Sequence, residues 1–127
     1  MTEGEEVRQK DFSIVQLQQG GPDAFKVLFF QYYQEFLSFS ILFLQDRAAA
    51  GIITFEAFFQ LWERHAEFDS EKKIKAFLYL AVRNKCLHFM KGLPQKADVG
   101  NGFPRSIPSS LPRDILQDIF AYAAKEP

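Results

Sequence analysis

Cysteine is almost absent from this sequence: among 127 residues there is one, Cys86. A lone cysteine cannot form an internal disulfide, so a reducing cytoplasm is the expected compartment, and Cys86 itself is expected to be a small packed residue. The sequence also lacks a glycine-rich phosphate loop, a Cys pair, a His-x-x-x-His pair and a nucleophile elbow. We therefore predict that the protein is not an enzyme, with no catalytic residues, no cofactor and no metal site.

Signals for secretion or for a membrane are also missing. The first residues, MTEGEEVRQKD, are polar and rich in acids, whereas a signal peptide begins with a basic segment followed by an apolar one. The longest apolar run, residues 36–44, is interrupted by Ser38 and Ser40. It is far shorter than the ~20 residues that a membrane-spanning helix needs. We expect a soluble cytoplasmic protein without membrane insertion.

Aromatic residues, in contrast, are plentiful. The chain holds 15 phenylalanines, and each one that is buried stabilises the fold by roughly 1.5–3 kcal/mol. A chain of this length forms one domain by the usual size range, with enough residues for a single core. The sequence therefore predicts a core that depends on neither a metal nor a disulfide.

Charge is distributed unevenly, although the net charge is only −1. Residues 1–35 carry six acids and three bases, whereas residues 72–91 carry six bases and no acid. The latter segment has the periodicity of an amphipathic helix with one apolar arc. The arc consists of Ile74, Phe77, Leu78, Ala81, Val82 and Phe89. We expect this arc to face the core and the positive potential to lie on this one element.

Basic residues border that arc on both sides. One border, which we call the amide edge, consists of Lys73, Phe77, Asn84, His88 and Lys91. The other, the tyrosine edge, consists of Lys72, Lys75, Tyr79 and Arg83. Basic side chains suit a nucleic-acid backbone, and aromatic and amide side chains suit unstacked bases. The alternative interpretation is a solvated lysine-rich helix that binds nothing.

The segments before the basic helix also have helical patterns. A short helix is expected over 12–19, with Asp11 as its N-cap, and Gly20-Gly21 should end it. A long helix over 22–45 is apolar on two sides, which is typical of the centre of a bundle. A third helix is expected over 48–65.

These segments predict an all-α fold, a bundle of three or four helices. The bundle is expected to span residues 1–91, with a flexible tail at 1–10. Residues 92–111 are rich in Gly, Pro and Ser, which is typical of a linker. A short amphipathic helix follows over 112–127. Trp62, in the third helix, is expected to be a core residue whose N–H finds a carbonyl.

Two segments, FEAFFQLWER and FDSEKKIKAFLYLAVRNKCLHFMK, resemble region 2 of sigma-70-type transcription initiation factors. The similarity is greatest to the extracytoplasmic-function (ECF) group. That group shows an aromatic-Leu-Tyr run, then Ala-x-x-Asn, then a basic residue at the helix end. Here these are Phe77-Leu78-Tyr79, Ala81-Val82-Arg83-Asn84 and Lys91. The resemblance extends over residues 11–91 and implies a helical promoter-recognition domain.

The resemblance implies that the third helix docks on the core of RNA polymerase. The polymerase-binding residues it implies are Ile52, Phe55, Glu56, Phe59 and Glu63. The apolar frame of the family is kept, but Gly51, Ile52 and Phe55 stand where the family has Glu, Asp and Gln. We expect Ile52 and Phe55 to be exposed and to form an apolar patch that needs a partner.

The resemblance also implies that the basic helix and the loop before it open the minus-ten promoter element. In the loop, Phe68 is expected to stack on a flipped base, and Asp69 or Ser70 to hydrogen-bond to it; a plain capping turn is the alternative. Asn84 is the main candidate for base contact, because an amide both donates and accepts, and His88 is the second. Phosphate contacts are expected from Lys72, Lys73, Lys75, Arg83 and Lys91, and packing beside the strand from Phe77 or Tyr79.

Two functions of different classes follow. The first is an initiation module that binds RNA polymerase core and single-stranded promoter DNA, with an anti-sigma factor left open as a further partner. The second is a degenerate sigma-like interaction protein that antagonises sigma factors without initiating, which the altered docking residues favour. In the family, a linker such as 92–111 leads to a second DNA-reading domain. Residues 112–127 therefore either begin a truncated region 4 or fold back onto the first domain.

Overall fold

The computed structural model describes residues 13–92 and 107–125. Within these residues every regular element is a helix, which confirms the predicted all-α fold class. The helices are α1 (Ile14–Gln18), α2 (Pro22–Leu44), α3 (Arg47–Glu63), a 3₁₀ turn (His65–Glu67), α4 (Glu71–Met90) and α5 (Arg113–Lys125). The predicted tail at 1–10 and most of the predicted linker at 92–111 lie outside the described residues.

The first helix, α1, begins later than the sequence suggested. Its N-cap is Ser13, whose hydroxyl accepts a hydrogen bond from the backbone N–H of Gln16 at 3.1 Å. Asp11, the expected cap, lies outside the described residues. After α1 the chain turns through Gly20, whose φ of 86° is one that L side chains rarely adopt. A Cβ at Gly20 would also lie only 3.2 Å from the His65 ring, which would have to shift by a few tenths of an ångström to admit it.

The long helix α2 is the centre of the bundle. It packs against α1, α3, α4 and α5, which agrees with its two apolar sides. Phe25, Phe29 and Phe36 are fully buried, and Tyr33 and Leu37 on the other side are buried as well. By length and composition alone α2 is also long and apolar enough to cross a membrane, a test that the core helix of a soluble protein passes too.

Aromatic rings join α2 to α3. The Phe29 ring lies 5.0 Å from that of Phe58 in an edge-to-face arrangement, and the Phe25 ring lies 5.3 Å from that of Trp62. Such pairs add about 0.5–1.5 kcal/mol to the stability that area burial provides. Trp62 is buried as predicted, but its N–H donates to the Ser110 hydroxyl at 2.8 Å and not to a carbonyl.

The last helix, α5, folds back onto α2 and α3. Ile115 and Ile119 on its inner side are buried, and the Phe120 ring lies 4.9 Å from that of Phe55 on α3. The Tyr122 ring lies 4.7 Å from that of Phe30, on the second apolar side of α2. This side of α2 is therefore covered within the chain itself.

The start of α3 provides a test of local stability. Asp46 is the N-cap, and its carboxylate accepts a hydrogen bond from the backbone N–H of Ala49 at 3.1 Å. We expect Asp46→Ala to lower the free energy of unfolding by about 0.5–2 kcal/mol, because an N–H of the first turn loses its partner. Asp46→Asn is the control, since asparagine caps a helix about as well as aspartate, and it should lower the free energy of unfolding by only about a few tenths of a kcal/mol. Urea unfolding measures both, and equal losses for the two variants would contradict a capping role.

Candidate nucleic-acid interface

Helix α4 begins at a capped turn and buries a narrow stripe. The Ser70 hydroxyl is the N-cap and accepts from the backbone N–H of Lys73 at 3.2 Å. This is the capping turn that the sequence left open as the alternative. The buried residues are Ile74, Leu78, Val82 and Cys86, which are spaced four apart along one side. Phe77, Ala81 and Phe89 of the expected apolar arc are only partly buried, so much of the helix surface faces solvent.

The amide edge lies at the surface. Lys73, Asn84, His88 and Lys91 are exposed and Phe77 is partly buried. At 1.5 Å per residue, the two lysines at its ends are about 27 Å apart along the helix. Leu80, one turn before Asn84, is 58% exposed and places an apolar side chain beside the amide. The edge therefore combines separated positive charges with an amide and an apolar contact.

At the N-terminal end of this edge, Lys73 is paired. Its ammonium lies 3.0 Å from the Asp69 carboxylate, and both side chains are more than half exposed. The hydrogen bond from Lys73, with its charge, lowers the pKa of Asp69, which is therefore ionised at neutral pH. Exposed pairs of this kind contribute about 0–1 kcal/mol, so exchanging Asp69 for a phosphate group costs little.

The tyrosine edge is partly used inside the molecule. The Tyr79 hydroxyl donates to the Glu35 carboxylate at 2.8 Å, and the Lys75 ammonium lies 3.5 Å from the same oxygen. The Tyr79 ring also packs against Phe36 at 4.7 Å. Tyr79 and Lys75 thus fix α4 to α2. Lys72 and Arg83 are exposed and form no ion pair within residues 13–92 and 107–125.

Because Tyr79 donates to Glu35, its pKa is raised above the ordinary value. Because the pKa of Tyr79 is higher in the folded state than in the unfolded state, the hydrogen bond stabilises the fold fully at pH values below the unfolded pKa of about 10. This stabilisation is lost as the pH rises through the folded-state pKa. We expect Glu35→Ala to move the ionisation of Tyr79 to lower pH. The measurement is ultraviolet titration of the phenolate, with Tyr79→Phe variants subtracted to isolate this tyrosine. An unchanged Tyr79 titration in Glu35→Ala would contradict the hydrogen bond.

The loop before α4 differs from the expectation at Phe68. Phe68 is 5% exposed and its ring lies 5.3 Å from that of Phe77. Phe68 is therefore a core residue, and in this conformation it cannot stack on a flipped base. Asp69 and Ser70 lie at or near the surface, where they pair with Lys73 and cap α4.

Arg64 is a neighbour of the amide edge that the sequence analysis missed. Its guanidinium lies 5.3 Å from the centroid of the Phe77 ring and forms a salt bridge to Glu67 at 2.8 Å. The hydrogen bond from Arg64 lowers the pKa of Glu67. Nothing in the local sequence indicated the approach of Arg64 to Phe77, which is thirteen residues away in sequence.

The docking residues expected on α3 are largely hidden. Ile52 and Phe55 are 7% and 8% exposed, so the expectation that they form an exposed apolar patch is wrong in this conformation. The Phe55 ring packs against Phe29 and Tyr33 of α2 at 5.5 and 5.6 Å. Phe120 of α5 covers it from the other helix at 4.9 Å and also lies 6.4 Å from the Phe59 ring. Glu56 and Phe59 are buried too, and Glu63 alone of the five is exposed.

Cys86 is part of the core, as its position on α4 suggested. Its sulfur lies 3.3 Å from the Ser40 hydroxyl in the buried contact between α4 and α2. Burial raises the pKa of the thiol, which is therefore protonated at neutral pH. A protonated, buried thiol is a poor nucleophile.

Comparisons of the chain with protein-family models, with curated proteins and with solved structures found no match. The function must therefore be inferred from the residues and their geometry.

Proposed function

We propose that this protein is a sigma-type promoter-recognition module, which binds a separated DNA strand on the amide edge of α4 and docks on RNA polymerase core through α3. The observation that supports it best is the exposure of Asn84 and His88 on the same side of α4 as Lys73 and Lys91. The remaining support is the resemblance of residues 11–91 to region 2 of ECF sigma factors.

The chemistry of the amide edge favours a single strand over a duplex. The side-chain amide of Asn84 can donate and accept at the same base edge, and each good pair of this kind gives about 1–3 kcal/mol of discrimination. Leu80 and the partly buried Phe77 provide apolar surface for the base faces that strand separation exposes. Lys91, Lys73 after it exchanges Asp69, and Arg83, which is exposed on the tyrosine edge one residue before Asn84, would hold phosphates. With few cations, the module alone should bind weakly and with a strong dependence on salt.

The proposal is tested at Asn84. Selection from a library of randomised single strands should enrich a short motif with the wild-type protein. The Asn84→Ala variant should lose preference at one base position of that motif by about 5- to 100-fold, with a smaller change in affinity for unrelated strands. Gln16→Ala, which removes an exposed amide on α1, is the matched control. A motif that survives Asn84→Ala unchanged would show that the amide does not read the strand.

A second function is favoured by a separate observation, the burial of Ile52, Phe55, Glu56 and Phe59 on α3. In this function the protein is a sigma-like interaction protein that antagonises sigma factors or polymerase and does not initiate. Binding assays with core polymerase and with the selected strand distinguish the two. Binding to polymerase without affinity for any strand would favour the antagonist, and binding to both would favour the initiation module.

A further inference from the structure

Helix α5 covers the face of α3 that the proposed function requires for docking. Phe55 and Phe59 lie directly beneath it, with Phe120 against both rings. On α5, Ile115 and Ile119 are buried against the bundle. A polymerase surface and α5 cannot contact these two phenylalanines at the same time, because each would occupy the same space.

The bundle beneath α5 has a core of its own. Helices α2, α3 and α4 each contribute fully buried side chains to it, which include Leu28, Phe36, Phe58, Leu61, Ile74 and Leu78. The rings of Phe36 and Phe58, 6.2 Å apart, belong to this part of the core. Movement of α5 away from α3 would therefore uncover one face and leave the contacts among the other three helices in place.

The polar attachments of α5 lie near the surface. Lys26 and Asp118 form an ion pair at 3.0 Å, with side chains 27% and 52% exposed. The Tyr122 hydroxyl donates to the Phe30 carbonyl at 3.2 Å. Exposed ion pairs contribute little, and a helix of 13 residues is only marginally stable in water once it leaves its partner. Attachment of α5 thus depends mainly on one apolar side.

We propose that α5 is an autoinhibitory cover: in its docked position it blocks the polymerase-docking face of α3, and polymerase binds only when α5 is released. This inference rests on the proposed function. The apparent affinity for polymerase then equals the affinity of the open form multiplied by the fraction of molecules that are open. Asn84, His88 and the two lysines of the amide edge are exposed while α5 is docked, so we expect strand binding to be independent of the cover.

A reversible lock tests the proposal in the full-length chain. Lys26→Cys/Asp118→Cys places two thiols at the position of the ion pair, and a bismaleimide with an internal disulfide joins them; Cys86 is buried and should not react. The control is Asp118→Cys/Lys125→Cys, in which the same reagent joins two positions of α5 and therefore does not tie α5 to α2. We expect the lock to weaken binding to core polymerase by at least about tenfold, reduction of the linker to restore it, and the control to have no effect.

Ile119→Asp tests the same proposal in the opposite direction. A carboxylate at this fully buried position should release α5 and raise the affinity for polymerase by about tenfold, with circular dichroism showing that the remaining helices persist. Strand affinity, measured in parallel, should be the same in every variant.

The outcomes separate the cover from the function on which it rests. Equal polymerase binding by the locked and reduced forms would overturn the cover and leave the proposed function standing. Absence of polymerase binding in all forms, including Ile119→Asp, would overturn the cover together with the docking half of the function. If the wild-type protein binds polymerase but no single strand, only the strand-recognition half of the proposed function is contradicted.

Discussion

Replacing Phe58 with alanine is expected to lower the free energy of unfolding by about 3–5 kcal/mol. Phe58 is fully buried, and its ring contacts those of Phe29 at 5.0 Å and Phe36 at 6.2 Å. Removing the ring costs its transfer free energy and leaves a cavity that rigid helices fill only in part. Because single domains are stable by only about 5–15 kcal/mol, this one change should remove a large fraction of the total.

Urea unfolding followed by circular dichroism measures the loss, with equal slopes for the variants as the condition for comparing midpoints. Leu42→Ala is the matched control, since Leu42 is a large apolar residue on α2 that is 78% exposed. Its cost should stay within about 0.5 kcal/mol. A Phe58→Ala protein that is nearly as stable as Leu42→Ala would show that Phe58 does not lie at the centre of the core.

The second large effect is expected from reversing two charges on α4. Arg83, in the second half of α4, and Lys91, at its C-cap, are both exposed. Lys91 belongs to the amide edge, and Arg83 lies on the tyrosine edge one residue before Asn84. Arg83→Glu/Lys91→Glu should weaken binding to any single strand by about 10- to 100-fold, because two phosphate contacts are replaced by repulsion. Affinity should also depend less on salt. The plot of log affinity against log salt should become shallower by about 1.4, since each contact with a single strand contributes about 0.7 to its steepness.

Fluorescence anisotropy with a labelled strand, at several salt concentrations, gives both quantities. Arg113→Glu/Lys125→Glu on α5 is the control, because it changes the same residue types and the same net charge at exposed positions of another helix. If both double variants lose affinity equally, the overall charge of the protein determines binding and α4 is not the interface.

The helices were predictable from the sequence because their signals are local. Gly20 and Pro22 mark the end of α1 and the start of α2, and the four-residue spacing of Ile74, Leu78 and Val82 marks the inner side of α4. The exposed amide edge followed from the same periodicity. The two apolar sides of α2 predicted a central helix, which the packing against four other helices confirms.

The features that the sequence did not predict depend on contacts between distant residues. Phe55 has the same local pattern whether or not Phe120, 65 positions later, covers it. Phe68 follows a polar turn that gives no sign of its burial against Phe77, and the approach of Arg64 to Phe77 depends on how that turn folds. Likewise, Tyr79 was expected to pack beside a DNA strand, because its hydrogen bond to Glu35 on α2 cannot be predicted from the sequence of α4 alone.

The position of α5 after α2, α3 and α4 in the chain has a consequence for synthesis. At about 5–20 residues per second on a ribosome, the three earlier helices are complete before Ile115, Ile119 and Phe120 emerge. Until then α5 cannot cover Phe55 and Phe59, and chaperones or aggregation compete with folding during those seconds. Expression should therefore be sensitive to substitutions in α5 that leave the finished bundle intact.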